Sequence, residues 1–465
     1  MPRFPCAILL PLLAASCGRA APPQSPAGVP DATAAIDRVH LCVSGELLGK
    51  LEPCGCASGQ LGGLARRIYQ IRLQRNFDLL LEGGNLAEGG TELDLLKWFT
   101  AIQILSAGPA PYDAIGVGAR DLELPFEEWC AMQQGLSPLV ASDIQSDLAT
   151  WPAKPFIEKR VRDHVVRIAS FTMSAPQRLL EGPDPKIRLL PPDRAWERAL
   201  EGADADALRI AMVHADDEAS RRLASSLTPP PDLVISVDDA FHEPPDRPDL
   251  VGTVPLVRSG AEGRVLLDLT LARLPKGPRL GYATIPLEGS RTKPGAMTDP
   301  DVRRAILVHR TDVRDQGILK LLADENPTAN GEAYVGSATC RACHEEAFSV
   351  WQKSAHARAW QTLEDAERDP ERYGWPVTAY PDCVGCHTVG YRYKTGFAGP
   401  AETPDLRNVG CESCHGPGSA HAEDPETKLG KVGQGAPSGV CRSCHDFDQT
   451  PDFDYAKYWR LIEHE

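Results

Sequence analysis

Gly410-Cys411-Glu412-Ser413-Cys414-His415-Gly416-Pro417-Gly418 contains a pentapeptide, Cys-x-x-Cys-His, that recurs at Cys340, Cys343 and His344, at Cys383, Cys386 and His387, and at Cys441, Cys444 and His445. Two thiols three residues apart reach the two vinyl groups on one porphyrin edge. The residue that follows offers its imidazole to the iron, which is the chemistry of c-type haem attachment. The four repeats use eight of the fourteen cysteines. A competing reading, two structural zinc ions each held by two Cys-x-x-Cys knuckles, gives no reason for a histidine after every pair.

Outward from the motifs, residues 333–465 hold too few aliphatic and aromatic side chains for an ordinary core, so four haems would themselves fill it. Crowding four macrocycles into so short a segment brings them close enough for electrons to pass between them. Beyond the four proximal histidines the segment has only His356, His421 and His464, and no methionine follows Met297. Three irons at most are therefore held between two histidines. The fourth is five-coordinate, or is ligated by water, Lys, Tyr or a residue of the N-terminal domain. His356 follows the first motif in an expected helical stretch, and His421 lies beyond a Gly-Pro-Gly turn. His464 ends a segment in which Tyr455, Tyr458, Trp459 and Ile462 recur at helical spacing and could lay an aromatic face on a haem.

Residues 334–464 resemble the tetrahaem cytochrome c-554 family, an electron carrier of ammonia-oxidising bacteria, and its multihaem relatives. The resemblance rests on Tyr334-Val335-Gly336-Ser337, the segment Lys353 to Ala359, the stretch around Cys411 and the closing aromatic segment. It implies a mostly helical, loop-rich fold. In that family the second haem is five-coordinate, which would put the open iron at His387.

From Arg38 to Leu274, apolar runs at Val39–Val43, Asp78–Leu81, Tyr112–Val117, Leu208–Val213 and Leu233–Val237 alternate with helical segments, the pattern of an α/β sandwich. The strand ends resemble those of calcineurin-like metallophosphoesterases, the 5′-nucleotidase kind in particular, an αββα sandwich with a two-metal centre. Most of that family's ligands are missing. Its Asp-x-His would lie near Cys42 to Glu46, its Gly-Asp reads Gly84-Asn85, and its Gly-Asn-His-Glu reads Gly118-Ala119-Arg120-Asp121. His214 keeps one position, but the closing Gly-His-x-His reads Val237-Asp238-Asp239-Ala240, with His242 displaced by two. No two-metal phosphoesterase centre is expected, and the domain reads as a scaffold or binding module. Leu51-Glu52-Pro53-Cys54-Gly55-Cys56 with Gln60 to Arg67 resembles an element of extracytoplasmic nucleotidase-like domains found beside multihaem cytochromes. Cys54 and Cys56 are expected to pair with Cys42 and Cys130, or to act as thiolates toward a metal.

The chain is thus expected to be multidomain: a lipoprotein-type signal peptide at 1–17, a Pro/Ala-rich linker at 18–37, the degenerate nucleotidase-like α/β domain at 38–275, a connecting region at 276–332 and a tetrahaem domain at 333–465. Arg3 with the apolar run Ala7 to Ala15 reads as an export signal, too short to span a bilayer. Leu13-Ala14-Ala15-Ser16-Cys17 resembles a lipobox, with Ala14 where Leu is usual, and implies a lipid on Cys17; ordinary signal cleavage is the alternative. In the connecting region a helix over 301–323 would bury Val302, Ile306, Val313, Ile318 and Leu322 and dock the two domains together.

The net charge of −15 excludes a nucleic-acid partner. These features point to an exported electron carrier of the periplasm or outer membrane, serving redox partner proteins with basic docking faces. Two rival functions follow from the same residues: a haem enzyme reducing a small nitrogen or oxygen species at the open iron, or a nucleotide- or partner-binding module with accessory haems.

Overall fold

The computed structural model of this chain describes residues 38–53, 59–132, 138–238, 243–274, 277–289, 296–369, 374–430, 439–446 and 449–464; Cys17, Cys54, Cys56 and His242 lie outside the described residues. Its strands in chain order are β1 (Val39–Ser44), β2 (Leu79–Glu82), β3 (Ala114–Gly116), β4 (Leu139–Val140), β5 (Ile144–Gln145), β6 (Ile157–Val161) and β7 (His164–Phe171). There follow β8 (Arg188–Leu189), β9 (Leu208–His214), β10 (Leu233–Val237), β11 (Asp249–Val251), β12 (Val254–Arg258), β13 (Val265–Leu274) and β14 (Gly277–Pro286).

They form two six-stranded sheets, β14-β13-β1-β2-β3-β4 and β11-β12-β10-β9-β7-β6, with β5 and β8 as a small ribbon. The parallel strands β1 to β4 are nearly continuous apolar runs because both of their faces are covered. Leu41, Val43, Leu81, Ile168, Ile210, Ile235 and Leu269 interdigitate between the sheets. Helices α1 (Leu64–Gln74), α2 (Glu92–Ala107) and α3 (Phe126–Met132) cover the outer face of the first sheet. After the single turn α4 (Gln177–Leu180), α5 (Pro192–Ala199) and α6 (Asp217–Ser226) cover the second. The result is an αββα sandwich, and all five expected strands lie in it.

Two expectations are corrected. The domain boundary at 275 falls inside the sandwich, because β14 pairs along the whole of β13 and completes the edge of the first sheet. In the sequence, Pro275-Lys276 fits a hairpin as well as it fits a linker. Cys42 and Cys130 are free, buried thiols rather than disulfide partners of Cys54 and Cys56. Each faces a packed core, where burial pushes the thiol pKa up, Cys130 to about 12.

The connecting region forms α7 (Pro300–Asp315) and α8 (Ile318–Leu321), separated by Gly317 in the left-handed conformation. Val302, Ile306, Val313, Ile318 and Leu322 are all buried. Helix α2 explains how the next segment docks. Its Thr91 and Asp94 form a reciprocal capping box. Its body is apolar on two faces: Leu95, Trp98 and Ile102 pack toward the sheet, while Leu93 joins a separate cluster with Val313, Ile318, Trp360, Trp375, Val384 and Phe397.

The C-terminal region is a chain of short helices: α9 (Ser337–Arg341), α10 (Glu345–Lys353), α11 (Ala359–Arg368), α12 (Pro381–His387), α13 (Cys411–His415), α14 (Ser419–Glu423), α15 (Gly439–Arg442) and α16 (Tyr455–Trp459). After Leu406 no described hydrophobic side chain is buried. The expected haem-filled region therefore divides. Residues 359–406 share a protein core with α2, α7 and α8, and the motifs on either side do not. Among the described residues no helix is long and apolar enough to cross a membrane.

Candidate haem sites

The attachment helices are held by polar clamps. Buried Glu412 accepts the N–H groups of Val335 (2.9 Å), Gly336 (2.8 Å) and Gly418 (2.8 Å), and Ser337 Oγ accepts Cys411 N–H at 3.1 Å. These bonds tie the first motif to the third. The Cys340 thiol lies in hydrogen-bonding reach of Cys411, and Cys444 lies in reach of Cys386, so the motifs approach one another as pairs.

The histidines sort themselves. His344 and His421 face each other with ring centroids 5.9 Å apart, His445 and His356 at 6.1 Å, and His415 and His464 at 6.0 Å. An iron bound by two imidazole nitrogens, each about 2 Å away as in other metal–imidazole bonds, sets ring centroids about 6 Å apart. All three pairs match that spacing. Among the described residues His387 faces no second imidazole.

Ring orientation agrees with a metal-binding role. His387 Nδ1 donates to Ala359 O at 2.6 Å, His415 Nδ1 to Gly430 O at 2.9 Å, His421 Nδ1 to Thr427 O at 2.7 Å and His464 Nδ1 to Ile462 O at 2.7 Å. A carbonyl oxygen can only accept, so each ring carries its proton on Nδ1 and leaves the Nε2 lone pair for a metal. Burial lowers the pKa of His356, His387 and His445, which favours the neutral, ligating form.

His356 begins a 3-10 helix between α10 and α11, inside the expected helical stretch. The closing aromatic segment stacks Phe453 at 4.9 Å and Tyr458 at 6.4 Å on His445 of the fourth motif. The pairing of these imidazoles was illegible in the sequence, because it joins residues far apart in the chain.

In the sandwich, the positions where a two-metal centre would lie are occupied by side chains engaged with one another. Asp121 accepts the N–H groups of Asn85 (2.9 Å), Ala87 (3.1 Å) and Gly118 (2.9 Å) and Trp98 Nε1–H (3.0 Å). Burial still pushes its carboxyl up to about 6. Asn85 Nδ2 donates to Glu46 at 2.8 Å, and buried Arg67 bonds Glu82 at 2.5 Å, with Ser44 donating to the same carboxylate. Gly84, at φ +110°, lets this loop meet Gly116, whose carbonyl oxygen a Cβ would approach to 2.4 Å. Burial pushes His214 down to about 4, keeping it neutral. Among the described residues no three His, Cys, Asp or Glu side chains group to hold a metal ion.

The functional residues that sequence reasoning missed lie where the domains meet. Lys97 of α2, almost wholly buried, bonds Asp382 of α12 at 2.6 Å. His309 of α7 bridges Thr100 (3.1 Å) and Tyr380 (3.1 Å). The guanidinium of Arg310 lies 3.8 Å above the Trp375 ring. Only the position of Asp382 beside Cys383 hints at this in the sequence.

Residues 339–416 match the family described as cytochrome c554 and c-prime. Cytochrome c-554 of Nitrosomonas europaea is 37% identical over 94 residues, covering 18% of this chain and 39% of that protein. The chain thus spans about two fifths of the length of the curated relative it matches. In structure it is similar to the NAD nucleotidase of Haemophilus influenzae (TM-score 0.49, 15% identity, 71% of this chain and 68% of that one). It is also similar to the sulfate thiohydrolase SoxB of Thermus thermophilus (TM-score 0.48, 16% identity, 61% of this chain and 62% of that one).

Proposed function

From its cytochrome c554-type C-terminal segment, we propose that this chain is an exported multihaem c-type cytochrome that relays electrons through four covalently attached haems. Thioethers form at Cys340 and Cys343, Cys383 and Cys386, Cys411 and Cys414, and Cys441 and Cys444. His344, His387, His415 and His445 are the proximal ligands. The observation that carries the reading is the set of three imidazole pairs near 6 Å with one histidine left over. On this reading His421 stands opposite His344, His356 opposite His445 and His464 opposite His415, and the iron at His387 is open. The haems, when attached, supply one-electron carriers. The side chains hold them, exclude water and fix ring orientation through the Nδ1 bonds.

A lipid on Cys17 would anchor the body at the periplasmic membrane surface or the outer membrane, with basic-faced redox proteins as partners. The sandwich, with Asp121 and Glu82 bound up in internal hydrogen bonds, serves as scaffold rather than phosphoesterase. The rival reading, reduction of a small nitrogen or oxygen species, would use the same open iron. Binding of CO or NO to the reduced protein discriminates it.

The test of the main reading is a pyridine haemochrome count combined with low-temperature electron paramagnetic resonance. Four haems with one high-spin iron are expected. Four low-spin irons would overturn the open site, and absence of haem would overturn the whole reading. His421→Ala should convert one further iron to high spin without loss of haem.

A further inference from the structure

A cavity of about 600 Å³ lies between the sandwich and the C-terminal region, within the size range of sites that hold one compact ligand. Leu93 and Lys97 of α2 and Arg310 of α7 form part of one side, and Trp375, Tyr380 and Cys383 part of the other. Of the eight attachment cysteines, Cys383 is the one in its wall. It belongs to the motif whose histidine faces no second imidazole. That motif is also the one whose helix is packed into the core shared with α2, α7 and α8, through Val384.

We propose that the α/β domain builds one wall of the seat of the second haem, and that Lys97 and Arg310 set the reduction potential of the iron at His387. This rests on the haem reading above and goes beyond it, because it gives the sandwich a part in the redox chemistry.

Five cations and six carboxylates line this cavity; Lys97 and Arg310 are the two cations on α2 and α7, the helices packed against the second motif. Lys97 is 3% exposed, while Asp382, its partner at 2.6 Å, is 52% exposed although it lies between the domains. Asp382 lines the cavity, so its exposure is exposure to that space. Arg310 is 17% exposed, pairs with Glu52 at 2.9 Å and is held flat against Trp375. A fixed positive charge stabilises the reduced iron, which carries one positive charge fewer, and the effect grows as water is excluded. Trp375 and Tyr380, buried and edge-to-face at 5.3 Å, supply rigid walls that keep the cations in place. The other three motifs have no attachment cysteine in this cavity, although Asp446, next to His445, also lines it, so the effect falls first on the iron at His387 and less on the iron at His445.

The experiment uses the full-length, haem-loaded protein and a redox titration followed by electron paramagnetic resonance, which separates high-spin from low-spin iron. Arg310→Gln should lower the potential of the high-spin iron by about tenfold in its one-electron equilibrium, ~59 mV, and move the low-spin irons by less. Arg310→Lys, which keeps the charge, should restore most of the shift. A high-spin iron that does not move, or four irons that move together, would overturn the proposal. The spin count of the unmodified protein tests the earlier reading separately. If all four irons prove low-spin, the haem lost in Cys383→Ala/Cys386→Ala identifies the second iron, and the Arg310→Gln shift is scored on it.

Discussion

Helices α12 and α15 carry the same Cys-x-x-Cys-His pattern and stand in opposite surroundings. In α12, Pro381 and Val384 are buried, the latter completely, in a cluster that draws Leu93 from α2 and Val313 from α7. In α15 no side chain is buried, and Val440 is 39% exposed. The pentapeptide prescribes attachment chemistry, and it is silent on what holds the helix. For α12 the protein supplies a core. For α15 the described contacts are mostly between polar and aromatic groups around His445, so under the proposed function an attached macrocycle would supply most of the burial.

The sharpest way to break this comparison is to remove attachment at each helix in turn. Cys441→Ala/Cys444→Ala should leave residues 439–464 without a core, and amide exchange there should accelerate by roughly a hundredfold or more. Cys383→Ala/Cys386→Ala should leave α12 protected within about tenfold, because Val384 keeps its neighbours. Equal loss of protection in both variants would mean that the shared cluster does not hold α12 without haem.

Acid should separate the two helices next. His309 bridges α2 and the start of α12. Burial first, then Lys97 and Arg310, push its pKa down to about 3, with Asp382 opposing. A histidine depressed below its unfolded value of 6.5 contributes stability that is complete above that pH and is lost as pH falls toward 3. Between pH 7 and pH 4 this amounts to about 3 kcal/mol. Urea unfolding followed by fluorescence of Trp375 should weaken over that window. His309→Gln, which keeps a hydrogen-bonding group, should flatten the slope. An unchanged slope would mean that His309 does not carry the acid sensitivity.

How far the sequence reached follows the same division. Motif spacing picked out the four Cys-x-x-Cys-His repeats, because that pattern is local. Strands β1, β2, β3, β9 and β10 were legible as apolar runs. Edge strand β14 was not, since Gly277, Pro278, Gly281 and Pro286 interrupt its pattern and none of its residues is fully buried. Val302, Ile306 and Val313 betrayed the buried face of α7 through their helical period. The break at Gly317 left no trace in that period, because α8 resumes it. The meeting of Lys97 with Asp382 depends on two domains docking, which no local pattern records.

A smaller effect should follow from packing alone. Val384→Ala removes two methyl groups from a fully buried site and should cost about 2 kcal/mol. Val440→Ala, at an exposed site, should fall within about 0.5 kcal/mol. Thermal denaturation of the haem-loaded variants measures both. A large effect at Val440 would mean that the attached macrocycle buries it.

The smallest expected effect probes the proximal ring of α12 itself. His387 Nδ1 has two oxygens in reach, Ala359 O at 2.6 Å and Thr362 Oγ1 at 3.2 Å. The carbonyl can only accept, so it takes the proton, and the longer contact to the hydroxyl adds little. Thr362→Val keeps the shape and removes that contact together with the Thr362 hydroxyl's bond to Ala359 O at 2.6 Å, which should cost about 1 kcal/mol. If Ala359 alone orients the ring, the potential of the iron at His387 should stay close to that of the unmodified protein, while Arg310→Gln moves it. A Thr362→Val shift as large as that of Arg310→Gln would instead place control of this iron in the ring's own hydrogen bonds, and would take it away from the wall built by the α/β domain.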